Sequence, residues 1–378
     1  PLLWERRIGS FRGLRQPAAR PSEVEAGQAA GSALGRRLSP QGECPACRTL
    51  RRSSQRYLET LLLHLADAEV RRRYRASGGL CRQHLALALP RVQAGVDLDL
   101  LLEVFAGRVG GLAGRVASPG LLPALVEALS GKPGALVPAT PTKVVTESAR
   151  WPEGLTELAS SQPLTEAGCP VCRAVRLGLD RWLAAAALSP AEGGVALAPV
   201  LDLCNPHAWR LASSTEAPAV WQEAARAVVR RLSESGSIPA PTPAPWHRAC
   251  DLLGIRRASA AGLAVAAQIG GGACPACLAE AAMAKRSASA LLESAGCEGG
   301  GLPNDLALCL PHLALALSLC PSEAGVWRLL RSALARWRSL RADLDEYVRK
   351  QDYRFRHEPY GAEVDAPWRA VAELAGEE

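Results

Sequence analysis

The feature that most constrains this chain is a motif of cysteine and histidine that occurs three times. A first half, CPAC or CPVC, is followed by a second half of the form CxxH, and 33, 31 and 31 residues separate the two halves. Each copy therefore offers three thiols and one imidazole at nearly constant spacing. The candidate ligands are Cys44, Cys47, Cys81 and His84 in the first copy, Cys169, Cys172, Cys204 and His207 in the second, and Cys274, Cys277, Cys309 and His312 in the third.

This set of donors indicates a metal site. Thiolate sulfur and imidazole nitrogen are ligands that zinc prefers, and two ligands separated by two residues can reach one ion from a single turn. The sequence therefore predicts three zinc ions, one per copy, each bound by the four ligands of that copy. Four protein ligands leave no open position for water, which is typical of a structural site. Iron–sulfur clusters use the same residue types and are an alternative at the same ligands.

The periodicity of the sequence favours an all-α fold. Apolar residues recur at helical spacing through most of the chain, and no β-rich run alternates in polarity. Both motif halves are expected to open helices, because a proline between two thiols suits the first helical turn. The prediction is three repeated helical modules, in each of which a Cys-Cys-Cys-His metal site joins two helix N-termini. Their partial positive charge favours thiolates.

Proline-rich segments and the repeats suggest how the chain is divided. The tail is rich in aromatic residues and is interpreted as a cap over the last module. The predicted divisions are a basic arm at 1–20, module 1 at 21–132, a linker at 133–142, module 2 at 143–236, a second linker at 237–245, module 3 at 246–350 and the C-terminal cap at 351–378.

Composition excludes some classes of protein. Hydrophobic residues make up 48% and charged residues 21% of the chain, a globular rather than a disordered balance. No apolar run approaches the roughly 20 residues that cross a bilayer, and no nucleophile elbow, phosphate-binding glycine loop or dinucleotide fingerprint is present. Because nine of the twelve cysteines belong to the motif, a reducing compartment, the cytoplasm, is expected. No catalytic residue is assigned.

Two stretches of the sequence resemble a known family. GECPAC paired with GGLCRQHLALAL, together with the tail DYRFRHEPYGAEVDAPWRA, is similar to an uncharacterised bacterial family of helical proteins classed as a domain of unknown function. Members resemble this chain in having ECPxC followed by GxCxxH. The resemblance implies a helical protein and brings no activity with it.

Three functions are compatible with these observations. The leading hypothesis is a metal-stabilised helical scaffold or adaptor without catalytic activity, whose partner is another protein. The alternative is an iron–sulfur electron carrier or redox sensor. The third is a nucleic-acid-binding protein, suggested by the basic arm and by arginines at 71–75 and 328–341, although no groove-reading element accompanies them. Cys250, Cys297 and Cys320 stand outside the motifs without an assigned role.

Overall fold

The chain is all-α in the part that its computed structural model describes, as the sequence predicts. The described residues are 23–38, 45–92, 95–116, 118, 120–133, 168–188, 198–213, 217–235, 265–266, 273–294 and 306–376, and no β-strand occurs among them. The predicted basic arm, both predicted linkers apart from residue 133, and Cys250 and Cys297 lie outside these ranges.

The helices follow one another along the chain with short turns between several of them. They are α1 (Glu23–Leu38), α2 (Pro45–His64), α3 (Ala68–Ser77), α4 (Arg82–Ala88), α5 (Gly95–Ala113), α6 (Leu121–Ser130), α7 (Pro170–Leu188), α8 (Ala198–Leu201), α9 (Asn205–Ala212), α10 (Ala217–Ser235), α11 (Pro275–Ser294), α12 (Leu310–Leu319), α13 (Glu323–Gln351) and α14 (Ala366–Ala375). Two 3₁₀ turns, Leu89–Arg91 and Ala362–Asp365, complete the set.

The chain divides into two compact units that are discontinuous in sequence. Unit 1 comprises Pro1–Gly42, Ser148–Asp180 and Glu280–Glu378, and unit 2 comprises Glu43–Glu147 and Arg181–Ala279. Helices α7 and α11 each supply residues to both units. The division into three modules stays a prediction.

Unit 1 is built around α1, α12 and α13. Helix α1 packs on both of the others, and their buried apolar side chains form one core. Two glycines of α1 allow a close approach to the backbone of α12: a Cβ at Gly35 would lie 2.6 Å from the carbonyl oxygen of Ala314, and one at Gly31 would overlap that of Leu317. The sequence treats these glycines as weak points of a helix, but in the structure they let two helices touch.

Unit 2 places α5 against α6 and α10. The C-terminal end of α6 carries carbonyls that no further helical turn can satisfy. Two buried side chains bind there: Arg82 donates to Leu129 O at 3.2 Å, and Asn205 donates to Ser130 O at 2.8 Å. Because these residues follow Cys81 and Cys204 directly, the end of α6 fixes the position of two CxxH halves.

The C-terminal segment is held against the end of α13 by a buried ion pair. Lys350 Nζ lies 2.6 Å from Glu363 Oε1 and 2.7 Å from Pro359 O, and the Gly361 N–H donates to the same carboxylate at 2.8 Å. Both charged side chains are buried. The hydrogen bond from Lys350 lowers the pKa of Glu363 from 4.5 to about 2.

This ion pair predicts a specific pH response. The stabilisation from Glu363 is complete above its unfolded pKa near 4.5 and is lost only as the pH falls through about 2. In wild-type protein the Glu363 carboxyl ¹³C resonance should therefore not titrate between pH 7 and 4. Lys350→Met removes the strongest interaction that lowers the pKa of Glu363, so this pKa should rise from about 2 toward 4.5 and the resonance should begin to titrate within that window.

A matched control for this experiment is Arg354→Met. Arg354 pairs with Asp352 in the same segment and is largely exposed. The control should leave the Glu363 resonance unchanged, and a wild-type resonance that titrates near pH 4.5 would contradict the role assigned to Lys350.

Among the described residues, no helix combines the length and the apolar character that crossing a membrane requires.

Candidate metal centres

Four predicted ligands converge in unit 1. The donor atoms of Cys169, Cys172, Cys309 and His312, here called the unit 1 quartet, all lie within 4.8 Å of one another. Cys172 Sγ is 3.6 Å from Cys309 Sγ, and His312 Nδ1 is 3.1 Å from Cys309 Sγ. The three cysteines are buried.

A second group of the same composition lies in unit 2. The donor atoms of Cys204, His207, Cys274 and Cys277, the unit 2 quartet, also lie within 4.8 Å of one another. Cys204 Sγ is 3.7 Å from Cys277 Sγ and 3.1 Å from His207 Nδ1. Cys204 and Cys277 are only partly buried, so this quartet is more open to solvent than the unit 1 quartet.

These groups correct the predicted pairing of the second and third copies. Each copy was expected to close its own site, but the CPVC half of copy two meets the CLPH half of copy three, and the CNPH half of copy two meets the CPAC half of copy three. Cys172 and Cys309, which approach each other closely, are 137 positions apart. Copies two and three therefore exchange halves. Helices α7 and α11 each begin in one unit and end in the other, so each CPxC half lies in a different unit from its own CxxH half.

The two exchanging helices meet at equivalent positions. Gly178 stands nine residues after Cys169, and Met283 stands nine residues after Cys274. A Cβ at Gly178 would lie 2.5 Å from Met283 Sδ, so the glycine makes room for the methionine of the other copy. The exchange is thus reciprocal, with matched positions of the two copies in contact.

Helix N-termini position the ligands in both quartets. Cys204 and Cys309 are the N-cap residues of α9 and α12, both with extended backbone. Cys169 and Cys274 directly precede the prolines that open α7 and α11. The predicted meeting of two helix starts at each metal group is therefore present, although the helices come from different copies. Their dipoles favour negative charge on the sulfurs.

The distances within each quartet match a single tetrahedral ion. Zinc–sulfur bonds of about 2.3 Å and zinc–nitrogen bonds of about 2.0 Å imply sulfur–sulfur edges of about 3.8 Å and sulfur–nitrogen edges of about 3.5 Å. The sulfur–sulfur distances of 3.6 and 3.7 Å and the sulfur–nitrogen distances from 3.1 to 3.5 Å lie close to these edges. Either group could hold a metal ion.

The first copy supplies one half of the same arrangement. Cys81 Sγ lies 3.2 Å from His84 Nδ1, the geometry found in the other two CxxH halves. Helix α2, which contains Cys47, packs against α4, which begins after Cys81. Cys44 lies outside the described residues, and the complete first set stays a prediction.

The electrostatics of the quartets reflect their crowded thiols. In unit 1, hydrogen bonds from Cys172 and Cys309 lower the pKa of the Cys169 thiol, while hydrogen bonding to Cys169 and Cys172 raises that of Cys309. Burial lowers the pKa of His312, but hydrogen bonds to Cys169 and Cys172 outweigh it and raise that pKa to about 9. One thiolate in the group is therefore favoured before any cation arrives.

In the unit 2 quartet, too, the pKa of one thiol is lowered and that of another is raised. Hydrogen bonds from Cys204 and Cys277 lower the pKa of Cys274, and hydrogen bonding to Cys204 and Cys274 raises that of Cys277.

Cys320 takes no part in either group: it is fully buried at the end of α12 and donates to Ser322 O at 3.5 Å.

Sequence reasoning missed the residues that support the unit 1 quartet. Arg336 and Glu373 form an ion pair of 2.6 Å and connect α13 to α14. Nothing in the spacing of either residue relates it to the cysteines, which are distant in sequence.

Comparison with known proteins offers no guide, because no family model, no curated protein and no solved structure matches the chain.

Proposed function

We propose that the chain is a zinc-stabilised helical scaffold or adaptor protein, with one zinc ion in each quartet and a third in the first motif copy. The observation that carries this proposal is the convergence of three thiols and one imidazole, twice, at tetrahedral edge distances. Such a ligand set is closed. It stabilises a fold and leaves no coordination position for a substrate.

The choice of zinc over an iron–sulfur cluster rests on the same distances. In a cluster the ligands bind different irons with bridging sulfides between them, so the four ligands cannot all lie as close together as they do around one ion. All four donor atoms of each quartet lie within 4.8 Å of one another, which favours a single ion. The alternative of an electron carrier or redox sensor loses support for this reason.

The size of the metal contribution is consistent with a structural role. Structural zinc contributes on the order of 10 kcal/mol or more of apparent binding free energy at neutral pH, about as much as the whole net stability of a domain. In each quartet this free energy would hold together helices that are far apart in sequence.

The nucleic-acid hypothesis is not favoured by the arginines that suggested it. Arg72 and Arg73 both pair with Glu69, and Arg71 lies 3.3 Å from Asp97. In the other cluster Arg336 pairs with Glu373, and Arg341 lies 3.6 Å from Asp345. Acidic neighbours therefore offset much of the positive charge that would attract phosphates.

A protein partner is favoured by one surface of α14. Trp368, Val371 and Leu374 recur at helical spacing on α14 and are exposed, Trp368 by 78%, and Val364 in the preceding 3₁₀ turn is exposed as well. Single exposed apolar side chains are ordinary, but several on one helix face form the kind of patch that contacts other proteins. This patch supports the adaptor interpretation.

Elemental analysis of the purified full chain tests the proposed function. We expect close to three zinc ions per chain and no acid-labile sulfide, because each ligand set binds one ion. Cobalt substitution should give the intense visible bands of tetrahedral thiolate coordination. Iron with acid-labile sulfide would overturn the proposal in favour of a cluster protein, and two zinc ions would refute the site in the first copy.

A further inference from the structure

The side chain of Arg336 connects three segments that surround the unit 1 quartet. From α13 it donates to the carbonyl oxygens of Leu306 and Leu308, each at 2.6 Å. These residues belong to the segment that leads into Cys309, the N-cap residue of α12. The same guanidinium binds both carboxylate oxygens of Glu373 on α14, again at 2.6 Å.

Glu373 is held from a second side as well. The indole N–H of Trp337, a buried residue of α13, donates to Glu373 Oε2 at 3.1 Å. A bidentate pair with arginine has a fixed geometry, and the additional indole bond restricts the carboxylate further. These bonds fix the position of α14 relative to α12 and α13.

The end of α14 lies directly over the metal ligands. A Cβ at Gly376 would be 3.4 Å from Cys172 Sγ and 3.7 Å from Cys309 Sγ, so the backbone of this residue covers two of the sulfurs. Gly376 has φ of +92°, a conformation that residues with side chains rarely adopt. The chain therefore closes over the quartet at a residue without a side chain.

We propose that α14 is a lid over the unit 1 quartet, and that Arg336 and Glu373 are positioning residues that keep it closed and fix the approach to Cys309. The inference rests on the proposed function, since it assigns these residues a role in retaining the metal. Bound metal leaves when water or a competing ligand reaches it, and a backbone this close to the sulfurs obstructs that path. Partners outside the ligand set are known to change metal affinity by 10- to 100-fold.

The test compares metal release from the two quartets in the full chain. Cadmium-113 is bound in place of zinc, the resonance of the unit 1 quartet is identified by its loss in Cys309→Ser, and EDTA is added in excess. In Glu373→Gln and in Arg336→Lys we expect the unit 1 resonance to disappear about tenfold faster than in wild type. The unit 2 resonance should decay at the wild-type rate.

Asp365→Asn provides the matched control, because Asp365 pairs with Arg369 along the exposed side of the same C-terminal segment. It should release cadmium from both quartets at wild-type rates. Circular dichroism establishes that each variant is folded, and Arg336→Lys tests the lid independently of Glu373→Gln.

The outcomes separate the lid from the proposed function. Wild-type protein that binds no cadmium at the unit 1 quartet would refute the proposed function and the lid together. Bound cadmium with an unchanged release rate in both variants, or equal acceleration at both quartets, would overturn the lid alone.

Discussion

The variant Cys309→Ser is expected to lose one metal ion and to make Cys169 and Cys172 reactive toward an alkylating reagent. The reason is the exchange of halves: Cys309 lies in one quartet with the cysteines of the second copy, at 3.6 Å from Cys172. Because structural zinc contributes on the order of 10 kcal/mol or more, unit 1 should also lose much of its stability. Mass spectrometry of alkylated peptides, together with metal analysis, measures both effects.

The same experiment decides between the two pairings. If each copy closed its own site, Cys309→Ser would expose Cys274 and Cys277 and leave Cys169 and Cys172 protected. Cys320→Ser is the matched control, because Cys320 is buried at the other end of α12 and belongs to neither quartet. It should retain all bound metal, and loss of an ion from it would contradict the assigned ligand set.

Gly31→Ala is expected to lower the free energy of unfolding of unit 1 by about 2 kcal/mol. The new Cβ would overlap the carbonyl oxygen of Leu317 and lie 3.2 Å from Val326 Cγ2. A backbone carbonyl cannot move away by changing a rotamer, so α1 must shift, at a cost of about 3 kcal/mol. The higher helix propensity of alanine offsets about 1 kcal/mol of this cost. Urea unfolding of the metal-loaded chain measures the difference.

The matched control for this substitution is Gly110→Ala in α5. A Cβ at Gly110 would have no heavy atom within 4 Å. Only the propensity difference acts there, so the control should be stabilised by about 1 kcal/mol. Equal effects of the two substitutions would contradict the close contact between α1 and α12.

Local features of the sequence predicted the helices well. Ser322 directly precedes α13 and caps it by accepting from the Gly325 N–H at 3.1 Å, as a serine before an apolar periodic run is expected to do. The motif halves open helices because proline suits the first turn and an extended cysteine suits the N-cap. These outcomes depend only on neighbouring residues, so the sequence contains the information for them.

The role of the glycines in α1 could not be predicted in the same way. Helix propensity counts Gly31 and Gly35 as unfavourable, and the benefit of lacking a side chain arises only when another backbone comes near. That neighbour, α12, lies far away in the sequence. The same applies to Arg336, whose partners at Leu306, Leu308 and Glu373 are set by packing.

The sequence by itself determined the donor types, their grouping into pairs two residues apart and the helical character of the segments that carry them, because each of these is a local property. Only the tertiary structure decided which pairs come together in one quartet. Every CPxC pair is chemically equivalent to every other, and so is every CxxH pair, so ligand chemistry cannot distinguish partners within a copy from partners in the next. Long-range packing makes that distinction, because α7 and α11 each begin in one unit and end in the other.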